Sequence, residues 1–428
     1  MKKLYISIPV MDEVDYIQNT LKSISKQTYR NFEVFLNINQ PDSWWDDHIK
    51  IEICENNRDT LKFLDDFKKT IDYKLHIIDR SSKGNGFSDK ENGVGWARKI
   101  MMDEIAENVS DSDEDIIISL DADTEFEGNY FQSIIDTFSK KSNKKAIAMA
   151  NPYYHKLTGE GISDRAVLRY EIYMRNYVSN LLRINCPYSF TALGSAIILP
   201  IKSYKKINGI VPKKSGEDFY FLQKLRKSGR IIIYNSEKVY PASRFSDRVP
   251  FGTGPAMAKG VVGDWDSYPI YHYSLFDKIG ETYKLFEKIY NDDINTITPM
   301  SDFLKNQFKD DNIFIALKKN STSLRQFIRS CHEKIDALRV LQFLRVEHQK
   351  ILENKDREHI STQNIFDFLI HFYGKNVVKK RLPHLFIDDK MNPEISFEDG
   401  EIENIDRVRN FMMEKELEIK KEKYFLKY

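Results

Sequence analysis

Asp121 and Asp123 stand one residue apart at the end of the apolar run Ile116-Ile-Ile-Ser-Leu120. Side chains alternate along an extended chain, so residues i and i+2 point the same way, and two aligned carboxylates can hold a divalent cation and a ligand hydroxyl together. In an open α/β sheet, ligands gather at the carboxyl ends of the strands. Acidic residues also follow strands as plain turn formers, so Asp-x-Asp needs company before it means a site. The segment Ile8-Pro-Val-Met-Asp-Glu13 breaks at a proline and turns acidic. Gly84 to Arg98 is glycine-rich ahead of a helix, which lets backbone approach a ligand, and the Arg98 guanidinium suits a phosphate with two parallel bonds. Ser215-Gly-Glu-Asp218 opens a helix, where carboxylates favour the positive dipole end, although capping alone explains one acid there. The loop from Tyr240 to Gly254 carries Arg244 and Arg248, four apart, a spacing able to clamp a diphosphate or an anionic acceptor. A Walker A loop is absent from the sequence, which argues against a P-loop NTPase.

These residues need a scaffold that brings strand ends together. Leu4–Val10 reads as a buried strand, and Ile17, Leu21 and Ile24 form the stripe of a following helix. Phe32–Ile38, Lys74–Asp79 and Asp115–Leu120 read as further strands. Between them lie a helix with Leu61, Leu64, Phe67 and Ile71 on one face and another from Gly95 to Ile105. Alternating β and α at these spacings implies a mostly parallel sheet with helices on both faces. After 150 the pattern loosens: a helix near 164–183, a strand-like run near 190–199, a helix at 217–228 and a strand at Arg230–Tyr234. Beyond about 275 the composition turns helix-forming and rich in Lys and Glu, so the boundary is placed at 272, with residues 273–428 mainly helical.

The 428 residues carry 65 Lys+Arg against 64 Asp+Glu, a net charge of +1, which argues against a polybasic nucleic-acid binder and leaves any charged ligand to local sites. Three cysteines, odd in number and without metal spacing, suit reduced thiols. No apolar run approaches the roughly 20 residues of a membrane span, and the N-terminus lacks the features of a secretory signal. The expectation is a soluble cytoplasmic protein.

Taken in order, the motifs resemble the family 2 glycosyltransferases of the GT-A fold, a Rossmann-like, mixed but mostly parallel sheet flanked by helices. Ile8-Pro-Val10 with Glu13 matches the first strand end, and Ser25-Lys-Gln-Thr-Tyr-Arg-Asn-Phe-Glu33 looks like the Q-T-Y-x-N-x-E signature. Gly95-Trp-Ala-Arg98 is similar to the G-x-A-R helix start, Asp121-Ala122-Asp123 to the Asp-x-Asp, and Glu217-Asp218 to the acceptor-side acid pair. The resemblance implies a nucleotide-sugar donor, expected to be a UDP-sugar, and Mn²⁺ or Mg²⁺. It implies that Pro9, Val10 and Glu13 hold the base, that Arg98, Asp121 and Asp123 hold ribose and diphosphate, and that Asp123 binds the metal with Asp121 beside it. Asp218, next to Glu217, is then the base for an acceptor hydroxyl in an inverting transfer. Many members have Asp-Asp-Gly-Ser after the second strand; here Asn37-Ile-Asn-Gln-Pro-Asp42 leaves Asn39 or Asp42 for the base. The Gln-x-x-Arg-Trp of processive synthases is missing, so a single addition is expected, in glycan or polysaccharide biosynthesis. Pro241-Ala-Ser-Arg-Phe-Ser-Asp247 looks like the P-C-S-R-V-G-H stretch of the polypeptide N-acetylgalactosaminyltransferases, which sets Asp247 where a metal-ligating histidine stands, with His272 as a fallback ligand. Arg244 and Arg248 then steady the diphosphate.

Two other readings compete. A haloacid-dehalogenase-like phosphatase uses Asp-x-Asp-x-Thr, which Asp121-Ala-Asp-Thr124 matches in its first four positions, but position 125 is Glu and the motif lies far from the start of the chain. A non-catalytic nucleotide-sugar-binding protein is the other. The expected acceptor is a glycan or a lipid-linked glycan. Contact with the inner face of a membrane through the Lys- and aromatic-rich end, residues 420–428, is the remaining expectation.

Overall fold

In the computed structural model the chain is described over residues 2–110, 112–214, 216–245, 253–261, 264, 268–352, 357–392, 396–397 and 400–425. It divides into two compact units, one of Met1–Ser163, Phe190–Ala258 and Lys420–Tyr428, the other of Asp164–Ser189 and Lys259–Ile419. The second unit therefore draws on chain from both sides of residue 272. Composition could not show this, because which helices pack together is not written in their residue types.

The first unit opens with β1 (Leu4–Val10), α1 (Val14–Ser25), β2 (Phe32–Asn39), α2 (Ile51–Phe67), β3 (Lys74–Arg80), α3 (Val94–Glu104) and β4 (Ile116–Ser119). It continues with β5 (Thr124–Phe126), α4 (Tyr130–Ser139), β6 (Ala146–Ala150) and the start of α5 (Gly161–Arg183). After β7 (Ile197–Pro200) come α6 (Ile201–Lys206), α7 (Glu217–Ser228), β8 (Arg230–Ile232), β9 (Val239–Pro241) and α8 (Thr253–Val261). Seven strands make one sheet in the order β3-β2-β1-β4-β7-β6-β8. All neighbours run parallel except β7, which is antiparallel to both β4 and β6, so the architecture is the mixed, mostly parallel α/β sheet with flanking helices that the sequence implied. Every residue of β1, β2 and β4 is buried, as expected of strands covered on both faces. β5 and β9 pair separately, antiparallel.

Pro9 sits in a central strand, where a proline usually costs a ladder bond. Here the cost falls at one point. Ser7 pairs with Ser119 and its carbonyl accepts from Leu120 N–H at 3.1 Å; the next β1 residue facing β4 is Pro9, which has no N–H to give. The Leu120 carbonyl is left for another donor. The Gln-Thr-Tyr run is structural: Gln27 accepts from Phe131 N–H at 2.9 Å and donates to the Glu127 carbonyl at 2.8 Å, fixing the link between β5 and α4.

The described part of the second unit is helical apart from a hairpin at Phe386–Met391. Residues 164–183 of α5 meet the last helix, Ile402–Phe425, through buried charges. Arg175 bonds Glu171 and Glu416, each at 2.9 Å, and Arg409 bonds the second Glu171 oxygen at 3.2 Å. All four side chains are at most 2% exposed. The three cysteines are buried, and none of them is in a disulfide. No helix among the described residues is long and apolar enough to cross a membrane.

Candidate functional site

From β1 the chain steps outward through β2 and β3, then returns to β4 on the other side of β1. That reversal is the topological switch point, the place beyond whose strand ends ligands bind in open α/β sheets. Glu13 leaves β1 at the head of α1 and is 5% exposed; Asp121, Ala122 and Asp123 leave β4. Residues 122 and 123 form a turn, not the extended chain on which alignment of the two carboxylates was expected. The two acids accordingly meet different partners.

Asp121 Oδ1 bonds Arg98 Nη2. Arg98, the fifth residue of α3, is 3% exposed. Its Nη1 also reaches Ser119 Oγ and, at 3.3 Å, the Leu120 carbonyl that Pro9 leaves open. Its Nε bonds Glu217 Oε1 at 3.1 Å. The expected two-pronged grip on a phosphate is thus already spent on protein partners. Asp123 Oδ2 bonds Arg244 Nε at 3.1 Å and Nη2 at 2.9 Å. Arg244 Nη2 also holds Glu13, with Oε2 at 2.6 Å, and the guanidinium carbon lies 3.9 Å from the centre of the Tyr16 ring. Two arginine-centred clusters therefore line the switch point, Arg98 with Asp121 and Glu217, and Arg244 with Glu13 and Asp123.

Glu217 and Asp218 open α7 after Gly216, whose φ of 69° is one that a residue with a side chain adopts at a cost. Glu217 turns inward to Arg98, whereas Asp218 is half-buried and accepts from Phe219 N–H at 2.7 Å. Burial and the neighbouring Asp218 charge push Glu217 up to about 7 in spite of Arg98. Asp218 is raised by burial as well, with the Phe219 N–H and Arg98 opposing. Burial works against the charge on Arg98, but Asp121, Glu217 and Asp218 outweigh it and its pKa is raised.

The other expected residues fall as follows. Pro9 and Val10 are buried within β1, and Ala122 is 1% exposed with its carbonyl accepting from Thr20 Oγ1 at 2.7 Å. Asn39 is buried, its amide donating to the Val10 and Asn37 carbonyls at 3.0 Å each. Asp42 Oδ1 accepts from Gly84 N–H at 2.7 Å and Gly86 N–H at 3.3 Å, so it fastens the glycine loop. Asp247 and Arg248 lie outside the described residues. His272 caps α9 (Tyr273–Lys284), accepting from Ser274 N–H at 3.2 Å. Sequence reasoning missed Tyr16, Ser119 and Gly194. A Cβ at Gly194 would lie 2.2 Å from Arg98 Nη2. Of these three only Ser119 had a local signal, a hydroxyl inside an apolar strand.

Among the described residues no three His, Cys, Asp or Glu side chains are grouped to hold a metal. Asp121 and Asp123 each keep one oxygen outside the arginine pairs described above. Two hard oxygen donors fit a Mg²⁺ or Mn²⁺ that completes its shell with phosphate oxygens and water, and do not amount to an all-protein cage.

No protein-family model matches the chain, and no curated protein matches it. Among solved structures it is similar to crystal structures of the 1–349 fragment of S. aureus TarS. The fragment alone gives a TM-score of 0.39 at 11% identity over 78% of this chain and 90% of that chain. The complex with UDP-GlcNAc gives 0.40 at 12% over 78% and 91%. The complex with UDP gives 0.41 at 11% over 82% and 92%.

Proposed function

We propose that the chain is a glycosyltransferase of the GT-A fold and family 2 type that moves one sugar from a nucleotide-sugar donor, a UDP-sugar first among the candidates, to an acceptor hydroxyl. The supporting observation is the balance of charge at the switch point: Glu13, Asp121, Asp123 and Asp218, with Glu217 partly charged at neutral pH, outnumber the guanidinium groups of Arg98 and Arg244. A diphosphate entering such a place needs a further cation with it. Asp121 and Asp123 would hold Mg²⁺ or Mn²⁺, which when bound offsets the negative charge developing on the leaving diphosphate.

Asp218 is the base. It accepts the proton of the acceptor hydroxyl as that oxygen bonds to the anomeric carbon and the bond from that carbon to the diphosphate breaks, which inverts the centre. A raised pKa brings an aspartate closer to the range in which a base works at neutral pH. Glu217, buried against Arg98, does not face the acceptor. The phosphatase reading needs Asp121 as an available nucleophile; it follows the fourth strand and is bonded to a buried arginine, which favours the transferase.

The test is calorimetry with UDP, with and without Mn²⁺, together with a transfer and hydrolysis screen across common nucleotide sugars. Mn²⁺-dependent UDP binding and sugar release are expected. Asp218→Asn should lose at least about 100-fold in turnover with UDP affinity little changed. Hydrolysis of p-nitrophenyl phosphate with magnesium and no nucleotide binding would replace this reading with the phosphatase, and binding without turnover of any nucleotide sugar would favour a non-catalytic protein.

A further inference from the structure

We infer that Arg98 is a positioning residue, tying the donor-side Asp121 to the acceptor-side Glu217-Asp218 pair, and not a ligand of the phosphate. The inference rests on the transferase reading for its kinetic consequences, but the arrangement itself does not depend on that reading.

A guanidinium has five N–H groups in a rigid fork. Four of the Arg98 bonds are accounted for: Nε to Glu217, Nη1 to Ser119 Oγ and to the Leu120 carbonyl, and Nη2 to Asp121. At 3% exposed, the group offers no paired N–H face to an incoming anion. Features from separate parts of the sequence converge on it. Pro9, lacking an N–H, leaves the Leu120 carbonyl open. Ser119 puts a hydroxyl in an otherwise apolar strand. Gly194 withholds the side chain whose first carbon would lie 2.2 Å from Nη2 and 3.4 Å from Asp121 Oδ1. Glu217 turns inward at the head of α7. A site built this way holds two acids at fixed places on one planar cation. A cation held on the second oxygen of Asp121 would then be felt at Glu217, and at the adjoining Asp218, through the guanidinium and not through solvent.

Two variants separate positioning from phosphate binding. Arg98→Lys supplies a point charge that cannot bond both acids in the same plane. Gly194→Ala removes no charged group but displaces the guanidinium. Both should lower kcat by about 10- to 100-fold, the scale of a slightly misplaced reacting group, while the calorimetric Kd for UDP shifts by less than about threefold, within what an indirect effect produces. A tenfold or greater loss of UDP affinity with kcat retained in Arg98→Lys would make Arg98 a phosphate ligand and overturn the inference. A readout free of turnover is a cycle of Asp121→Asn and Glu217→Gln on Tm. Asp121 and Glu217 have no direct bond in the structure, so their Tm losses should be non-additive by about 2–6 °C if Arg98 joins them, and additive in an Arg98→Met background. Additivity in the native background overturns the inference. Absence of any transfer by the wild-type protein, with the non-additivity intact, removes the transferase reading and leaves the coupling standing.

Discussion

Glu217 is held at a place where burial and a second acid compete with a guanidinium. Its ordinary value of 4.5 rises to about 7 in the folded chain. Between those values the folded protein keeps a proton that the unfolded chain has lost, so the stabilisation linked to it is full below about 4.5 and declines as pH rises through about 7. Tm measured from pH 4.5 to 7.5 should therefore fall less steeply in Glu217→Gln than in the wild type, and parallel slopes would show that Glu217 titrates normally. Asp123 carries a separate prediction. Asp123→Ala should abolish the gain in UDP affinity produced by Mn²⁺, read by calorimetry with and without the metal, while Arg244 keeps Glu13 as its partner. Asp121, Asp123 and the Glu217-Asp218 pair were legible in the sequence because charge at strand ends and helix starts is a local pattern. The place of Arg98 was not, since three of its supports, Pro9, Ser119 and Gly194, are ordinary residues until the sheet brings them together.

β1 over Leu4–Val10 and α7 over Glu217–Ser228 stand where the sequence reading put them, because each is a stretch of several residues with a proline or glycine break near its end. β5 and β9 span three residues each, too few for a period to show. The strand-like run at 190–199 contracts to Ile197–Pro200, preceded by a short helical turn that places Gly194. The charge ladder between α5 and the last helix makes a prediction at this scale. Glu171→Gln leaves Arg175 and Arg409 short of a buried counter-charge, and breaking such a pair costs about 3–5 kcal/mol. Urea unfolding of the second unit should show a loss of that order; a change under 1 kcal/mol would mean that the ladder is dispensable.

The second unit takes residues 164–189 and then resumes only at 259. A fragment of residues 1–272 would keep Leu168, Ile172, Val178, Leu181 and Leu182, all at most 1% exposed in the whole chain, while losing the helices they belong with. That fragment should aggregate or bind a hydrophobic dye where the full chain does not; a monodisperse fragment with an unchanged Tm would count against the division. The Arg175–Glu416 pair, 241 residues apart, also sets a clock. At about 5–20 residues per second of synthesis, roughly 12–48 s separate the making of one partner from the other. During that interval the emerging α5 carries Arg175 without Glu416 and Glu171 without Arg409, leaving the two with each other, so the order of biosynthesis exposes this helix to holding factors and proteases while most of the first unit's sheet already has its strands in hand.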